Sequence, residues 1–134
     1  MKSILFVDKY NNLLSQIVEA YARKFFSDKY QSYSGGIEER DIDPVLVKIL
    51  KEDGINISEH YSKLAYMFGD ISFDYVLILT EEAKNELVLV PESKKVIQEK
   101  FSEEVVIAQD EAQRIEYYRE LREQLKNWVR KRLA

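Results

Sequence analysis

Residues 4–25 read ILFVDKYNNLLSQIVEAYARKF. Ile4-Leu5-Phe6-Val7 is a short, continuously apolar run, the pattern of a strand covered on both faces as in a parallel sheet. A polar loop follows, and then Leu14, Ile17, Val18, Tyr21 and Phe25 recur at helical spacing, so residues 14–27 are expected to form an amphipathic helix. A strand that feeds through a short loop into a helix opens a βαβ unit.

The rest of the chain extends this alternation. Residues 30–33 suit a second strand, closed by Gly35-Gly36, where glycine gives the backbone access to conformations closed to other residues. Asp43-Pro44 supplies a helix cap followed by proline at the first helical position, Leu46, Ile49 and Leu50 supply the buried stripe, and Gly54 ends the helix. Residues 75–79, Tyr-Val-Leu-Ile-Leu, read as a third strand, and residues 103–108, with the core Val105-Val106-Ile107, as a fourth. Between them a short helix is expected within residues 91–101. From residue 112 to 133, Ile115, Tyr118, Leu121, Leu125, Trp128 and Leu133 share one face of a long terminal helix. Strands alternating with helices predict an α/β fold, a parallel sheet with helices on both faces, with residues 1–134 as one domain.

The totals set limits on function. With 46% hydrophobic and 33% charged residues among 134, the chain has the balance of a globular domain. Twenty basic against 24 acidic residues leave a net charge of -4, which disfavours a nucleic-acid partner. The first apolar run is too short for a signal peptide or a membrane span, so a cytoplasmic location and no membrane partner are expected. There is no cysteine and one histidine, His60, which excludes disulfides, thiolate ligands and thiol nucleophiles and leaves no histidine-rich metal site. High charge without cysteine also suits a heat-adapted protein.

In open parallel sheets ligands bind at the carboxyl ends of the strands, which directs attention to the loop Asp8-Lys9-Tyr10-Asn11-Asn12-Leu13-Leu14-Ser15. The run across residues 4–25 resembles the opening of the low-molecular-weight protein tyrosine phosphatases and the thioredoxin-linked arsenate reductases. In those families a strand leads to a phosphate loop of the form Cys, five residues, Arg, Ser, and then to a helix. Ser34-Gly35-Gly36 is similar to the Ser-Ala-Gly segment after their second strand. Residues 43–57 resemble their second helix and Gly-Ile-x-Ile turn, and Phe73-Asp74-Tyr75-Val76 the start of their third strand. The resemblance implies a three-layer sandwich around a four-stranded parallel sheet of order 2-1-3-4.

The resemblance implies a thiolate nucleophile and an arginine clamp, but Asp8 and Leu14 stand at those positions. Asp8 would place negative charge where an oxyanion must sit, Leu14 offers no donor, and the loop holds no glycine to ease backbone wrapping. The two further redox cysteines of the reductases correspond to Thr80 and Leu87. The phosphatases' general acid, an aspartate before proline, corresponds approximately to Asp110, which is followed by Glu111. Asn11 and Ser15 match the loop asparagine and the serine that supports the nucleophile; asparagine also tolerates left-handed backbone and serine suits a helix start.

Other chemistries place acids at the same edge. A haloacid-dehalogenase-like phosphatase needs a second acid where Tyr10 stands, and a receiver domain needs an aspartate where Thr80 stands. Asp8, Glu81 or Glu82, and Asp110 or Glu111 could bind magnesium or calcium, although Glu81 and Glu82 also suit a first helical turn and Asp110 with Gln113 a capping box. His60 reads as a surface residue and Tyr118, of the Tyr117-Tyr118 pair, as core. The resulting expectation is a catalytically inactive relative without a cofactor, serving as a binding or assembly module for a protein partner or for itself. The alternative is a phosphoryl-transfer hydrolase using Asp8 and a divalent metal.

Overall fold

The computed structural model describes residues 1–86, 91–102 and 110–134. Its strands are β1 (Lys2–Val7), β2 (Tyr30–Gly35), β3 (Phe73–Ile78) and β4 (Ser93–Gln98), and its helices are α1 (Leu14–Phe26), α2 (Pro44–Lys51), α3 (Glu81–Glu86) and α4 (Glu111–Arg132), with a 3-10 turn at Ala65–Phe68. Among the described residues all pairings are parallel, as the alternation of elements predicts, and the order is β2-β1-β3-β4, as the resemblance implies. Ile4 lies opposite Tyr75 and Val7 opposite Ile78, so β1 is the central rail on which both halves are built.

Side chains of β1 alternate between two cores, as the two-residue period of a strand requires. Ile4 and Phe6 join Leu77 beneath α1, α2 and α4, whereas Leu5 and Val7 join Val76 and Ile78 beneath Ala65 and Ala83 on the other face. Each large apolar side chain taken fully from water contributes about 1.5–3 kcal/mol, which is why this short run commands the fold. In α1 every residue from Leu14 to Ala22 is buried, polar ones included. On α4 the fully buried stripe is Tyr118, Leu121, Leu125 and Val129. Trp128 is only partly buried and stands edge-on to Phe101, 5.2 Å between ring centroids, so Val129 takes the core position expected of it.

Two expectations need correction. The helix expected within residues 91–101 is strand β4, whose sequence SKKVIQ pairs with β3 from Ser93 to Gln98. Lysine and glutamine favour helix locally, but pairing with β3 overrides a weak propensity, and lysines are suited to the margin of a sheet. The strand expected at residues 103–108 lies outside the described residues. Gly35 and Gly36 are not required for unusual backbone angles, since among the described residues positive φ occurs only at Asn11 and Gly54. They are required for space. A Cβ on Gly35 would stand 2.7 Å from the Ala65 Cα, and one on Gly36 would stand 2.8 Å from the Asn11 amide nitrogen. Gly36 thereby lets the strand end press against the loop that follows β1.

Candidate functional site

The loop after β1 closes on the side chain at its own first position. Asp8 is 1% exposed, and its Oδ1 accepts from the Asn11 amide at 2.8 Å and from the Ser15 hydroxyl at 2.8 Å, while Oδ2 accepts from the Ser15 amide at 2.9 Å. Leu13, at the cap position of α1, provides no capping side chain. Asp8 does so from outside the helix, by accepting a bond that one of the free N–H groups at a helix start must find. Burial pushes the Asp8 carboxyl above its ordinary pKa, opposed by the hydrogen bonds from Ser15 and Asn11.

Asn11 holds the loop's shape. Its φ of 49° puts it in the left-handed region that asparagine tolerates, as expected. Its Nδ2 donates to Ser15 Oγ at 2.8 Å and Ser34 Oγ at 2.9 Å, and its Oδ1 accepts from the Lys63 amide at 2.9 Å and Gln16 Nε2 at 3.1 Å. Both donors and both lone pairs of this amide are therefore used. Ser34 passes the chain onward by donating to Glu19 Oε1, and Glu19 Oε2 pairs with Arg23 Nε at 3.0 Å. Glu19 is 3% exposed. A continuous polar network thus runs from Asp8 through Ser15, Asn11 and Ser34 to Glu19 and Arg23.

The structure brings Asp8, Asn11 and Ser15 together and keeps the other candidates apart. Leu14 is fully buried among the core residues and does not line the loop's inner surface with any donor. Thr80 accepts from the Ala83 amide at 3.1 Å and so caps α3. Leu87 is outside the described residues. Asp110 and Gln113 form a reciprocal capping box at the start of α4, as their spacing predicts, and Glu111 lies 3.7 Å from Lys48. Tyr118 is core, and its hydroxyl donates to Asp43 at 2.9 Å. His60 is not a free surface residue: it is half-buried, its Nδ1 lies 3.1 Å from Gln16 Oε1, and burial lowers its pKa.

The carboxylates considered for a metal do not assemble. Asp8 is committed to its own loop, Glu82 to Lys9 at 2.7 Å, and Asp110 to its helix cap, and among the described residues no three acids or histidines come together as a metal site would require. Lys9, the loop's cation, is drawn away to α3, where Glu86 also takes it at 3.2 Å, and these bonds raise its pKa. A hollow of about 280 Å³ lies beside it, lined by Thr80, Glu81, Glu82, Phe101 and Ser102. Its charge is predominantly acidic, the opposite of what an oxyanion requires.

Gln16, Glu19 and Lys63 carry this network without having stood out in the sequence. The one available signal was the spacing of Glu19 and Arg23, which permits an ion pair along a helix but does not announce burial.

A parallel sheet with a loop-to-helix turn at the end of its central strand is shared with known proteins. The model for low molecular weight phosphotyrosine protein phosphatase matches residues 3–133. Arsenate reductase 2 of Staphylococcus haemolyticus is 35% identical over 94 residues, 70% of this chain and 72% of that protein. An arsenate reductase of Bacillus licheniformis is 35% identical over 67% of this chain and 65% of its own. An arsenate reductase solved in its reduced state superimposes with a TM-score of 0.75 at 27% identity, over 98% of this chain and 95% of that one. A low molecular weight protein tyrosine phosphatase from T. tengcongensis shares the fold, with a TM-score of 0.78 at 22% identity over 99% and 98% of the two chains. The chain belongs to the low molecular weight phosphotyrosine protein phosphatase family.

Proposed function

We propose that this protein is a catalytically silent member of its family, retained as a binding or assembly module. The observation that carries the reading is the occupant of the loop: the Asp8 carboxyl accepts from the Asn11 and Ser15 amides and the Ser15 hydroxyl, donors that an oxyanion would need. Occupancy is steric as well as electrostatic, because the carboxyl fills the cradle in either protonation state. With no cysteine in the chain, the thiolate route to a covalent intermediate is closed.

Magnitudes favour the same conclusion. A charged arginine fork contributes hydrogen bonds worth about 1.5–3 kcal/mol each to an oxyanion, and Leu14 supplies none of this. A helix N-terminus offers an anion about 0.3–1 kcal/mol, and here its first-turn donor is already taken. Asp8 is also a poor nucleophile in this setting, since both carboxyl oxygens accept hydrogen bonds and the side chain is 1% exposed. The silent module accounts for the spent donors without invoking a metal that the described acids do not converge to bind.

The expected result is no turnover of aryl phosphates or arsenate, with or without thiol reductants and with or without magnesium. Turnover by the purified chain that Asp8→Asn abolishes would overturn this reading in favour of a hydrolase built on Asp8.

A further inference from the structure

The hollow that combines apolar surface with convergent charge lies away from the loop. It is bounded by the start of β2, the bodies of β1, β3 and β4 and the end of α4, with a volume of about 170 Å³. Ile97, partly buried, offers apolar surface to the hollow, and Ile4, Leu77 and Leu133, themselves buried, close it from behind. Tyr30 and Tyr75 wall it, their rings edge-on at 6.4 Å. Binding sites for drug-sized molecules run from about 300 Å³ upward, so this space suits a single ring rather than a larger ligand.

The rim has a definite sign. Lys95 and Arg132 line the hollow, Lys2 Nζ donates to the Tyr75 hydroxyl at 3.2 Å, and Lys29 Nζ stands 5.3 Å from the centre of the Tyr30 ring. In a chain of net charge -4, two of these cations, Lys95 and Arg132, line one small opening. Among the described residues Lys95 has no ion-pair partner, whereas Arg132 meets Glu99 through its Nε at 3.5 Å and Lys29 Nζ donates to the Leu133 carbonyl at 2.9 Å. Two aromatic walls set edge-on accept a third ring in the same geometry, and Lys95, with Arg132 beside it, selects a negative group at the ring's exposed end.

We propose that this hollow is a binding site for a small aromatic carboxylate. The ring lies against Tyr30, Tyr75 and Ile97, and the carboxylate faces Lys95 and Arg132. The site does not depend on the silent reading of the loop, because β1 runs from the hollow at Ile4 to the loop after Val7 and no residue of the 8–15 loop lines it.

The test is an amide NMR titration of the whole chain with benzoate, alongside benzyl alcohol as a ring without charge, acetate as charge without a ring, and inorganic phosphate. Benzoate should give saturable shifts at Tyr75, Ile97 and Leu133, with an affinity at least fivefold above that of each other probe. Lys95→Glu, at an exposed position that should not disturb folding, should weaken benzoate at least tenfold. The proposal is overturned by benzyl alcohol, acetate or phosphate binding as tightly, by shifts centred on Asn11 and Ser15, or by unchanged affinity in Lys95→Glu. Absence of saturation up to the solubility limit of the sodium salt would overturn it as well.

Discussion

The loop after β1 and the seam between α2 and α4 both rest on carboxylates, and they use them in opposite ways. In the loop, Asp8 and Glu19 are buried and answer mostly to neutral amides and hydroxyls of their own surroundings. On the seam, Asp43, Glu52 and Asp53 keep partial contact with water and answer to cations and tyrosines of other elements. Asp43 takes Arg114 and Tyr118, Glu52 takes Arg119 and Arg122, and Asp53 takes Lys126 and Tyr21. Burial decides what each arrangement can tolerate. Water can replace a lost partner on the seam, but nothing can replace one in the loop.

The largest effect is therefore expected at Asp8. Asp8→Leu strips partners from the Asn11 amide, the Ser15 amide and the Ser15 hydroxyl, each costing about 1–3 kcal/mol when buried and unpaired, partly offset by relief of the carboxylate's own desolvation. A net loss of about 3 kcal/mol should appear in urea unfolding; a loss no larger than that of a surface substitution would mean the network is not structural. Gly36→Ala should follow, at about 1–3 kcal/mol, because its Cβ meets backbone of the loop rather than a side chain that can swing aside. Tyr118→Phe on the seam should cost about 1 kcal/mol, since one hydrogen bond to the partly buried Asp43 is lost.

The smallest effect is a pH dependence, and its sign separates the two regions. Burial raises the Asp8 pKa above its ordinary 3.8, so Asp8 contributes stability below that value, and the contribution is lost as pH rises through the folded pKa. Glu52 is held down to about 2 by Arg119 and then Arg122, so its contribution is present above its ordinary 4.5 and is lost as pH falls toward 2. In paired unfolding curves, the advantage of wild type over Asp8→Asn should shrink as pH rises from 3. The advantage over Glu52→Gln, small because the pair is exposed, should grow over the same range. Parallel slopes would erase the distinction between the regions.

Much of the fold was readable because a few segments carried unambiguous patterns. Ile4 to Val7 is too short and too apolar to be anything but a strand, and the Asp43-Pro44 cap fixes the start of α2, where the Asp43 side chain accepts from the Val45 amide. β4 escaped because Lys94, Lys95 and Gln98 say more about solvent than about pairing, and only β3 makes that segment a strand. At the loop, charge alone forecast that Asp8 opposes an anion. The sequence could not reveal that the carboxyl consumes the loop's own donors, since the relevant partners are backbone N–H groups that every residue carries. Glu19 escaped for a related reason: an acid on an amphipathic helix reads as a solvated position until Ser34 and Arg23 are seen to close over it.

The central claim is that the loop's anion cradle is filled by Asp8, and a phosphate titration followed at the Asn11 and Ser15 amide resonances tests it most directly. The unmodified protein should show no saturable shift at either amide, the double variant Asp8→Cys with Leu14→Arg should show one, and each single change should restore less. Saturable phosphate binding by the unmodified protein, centred on Asn11 and Ser15, would contradict the account.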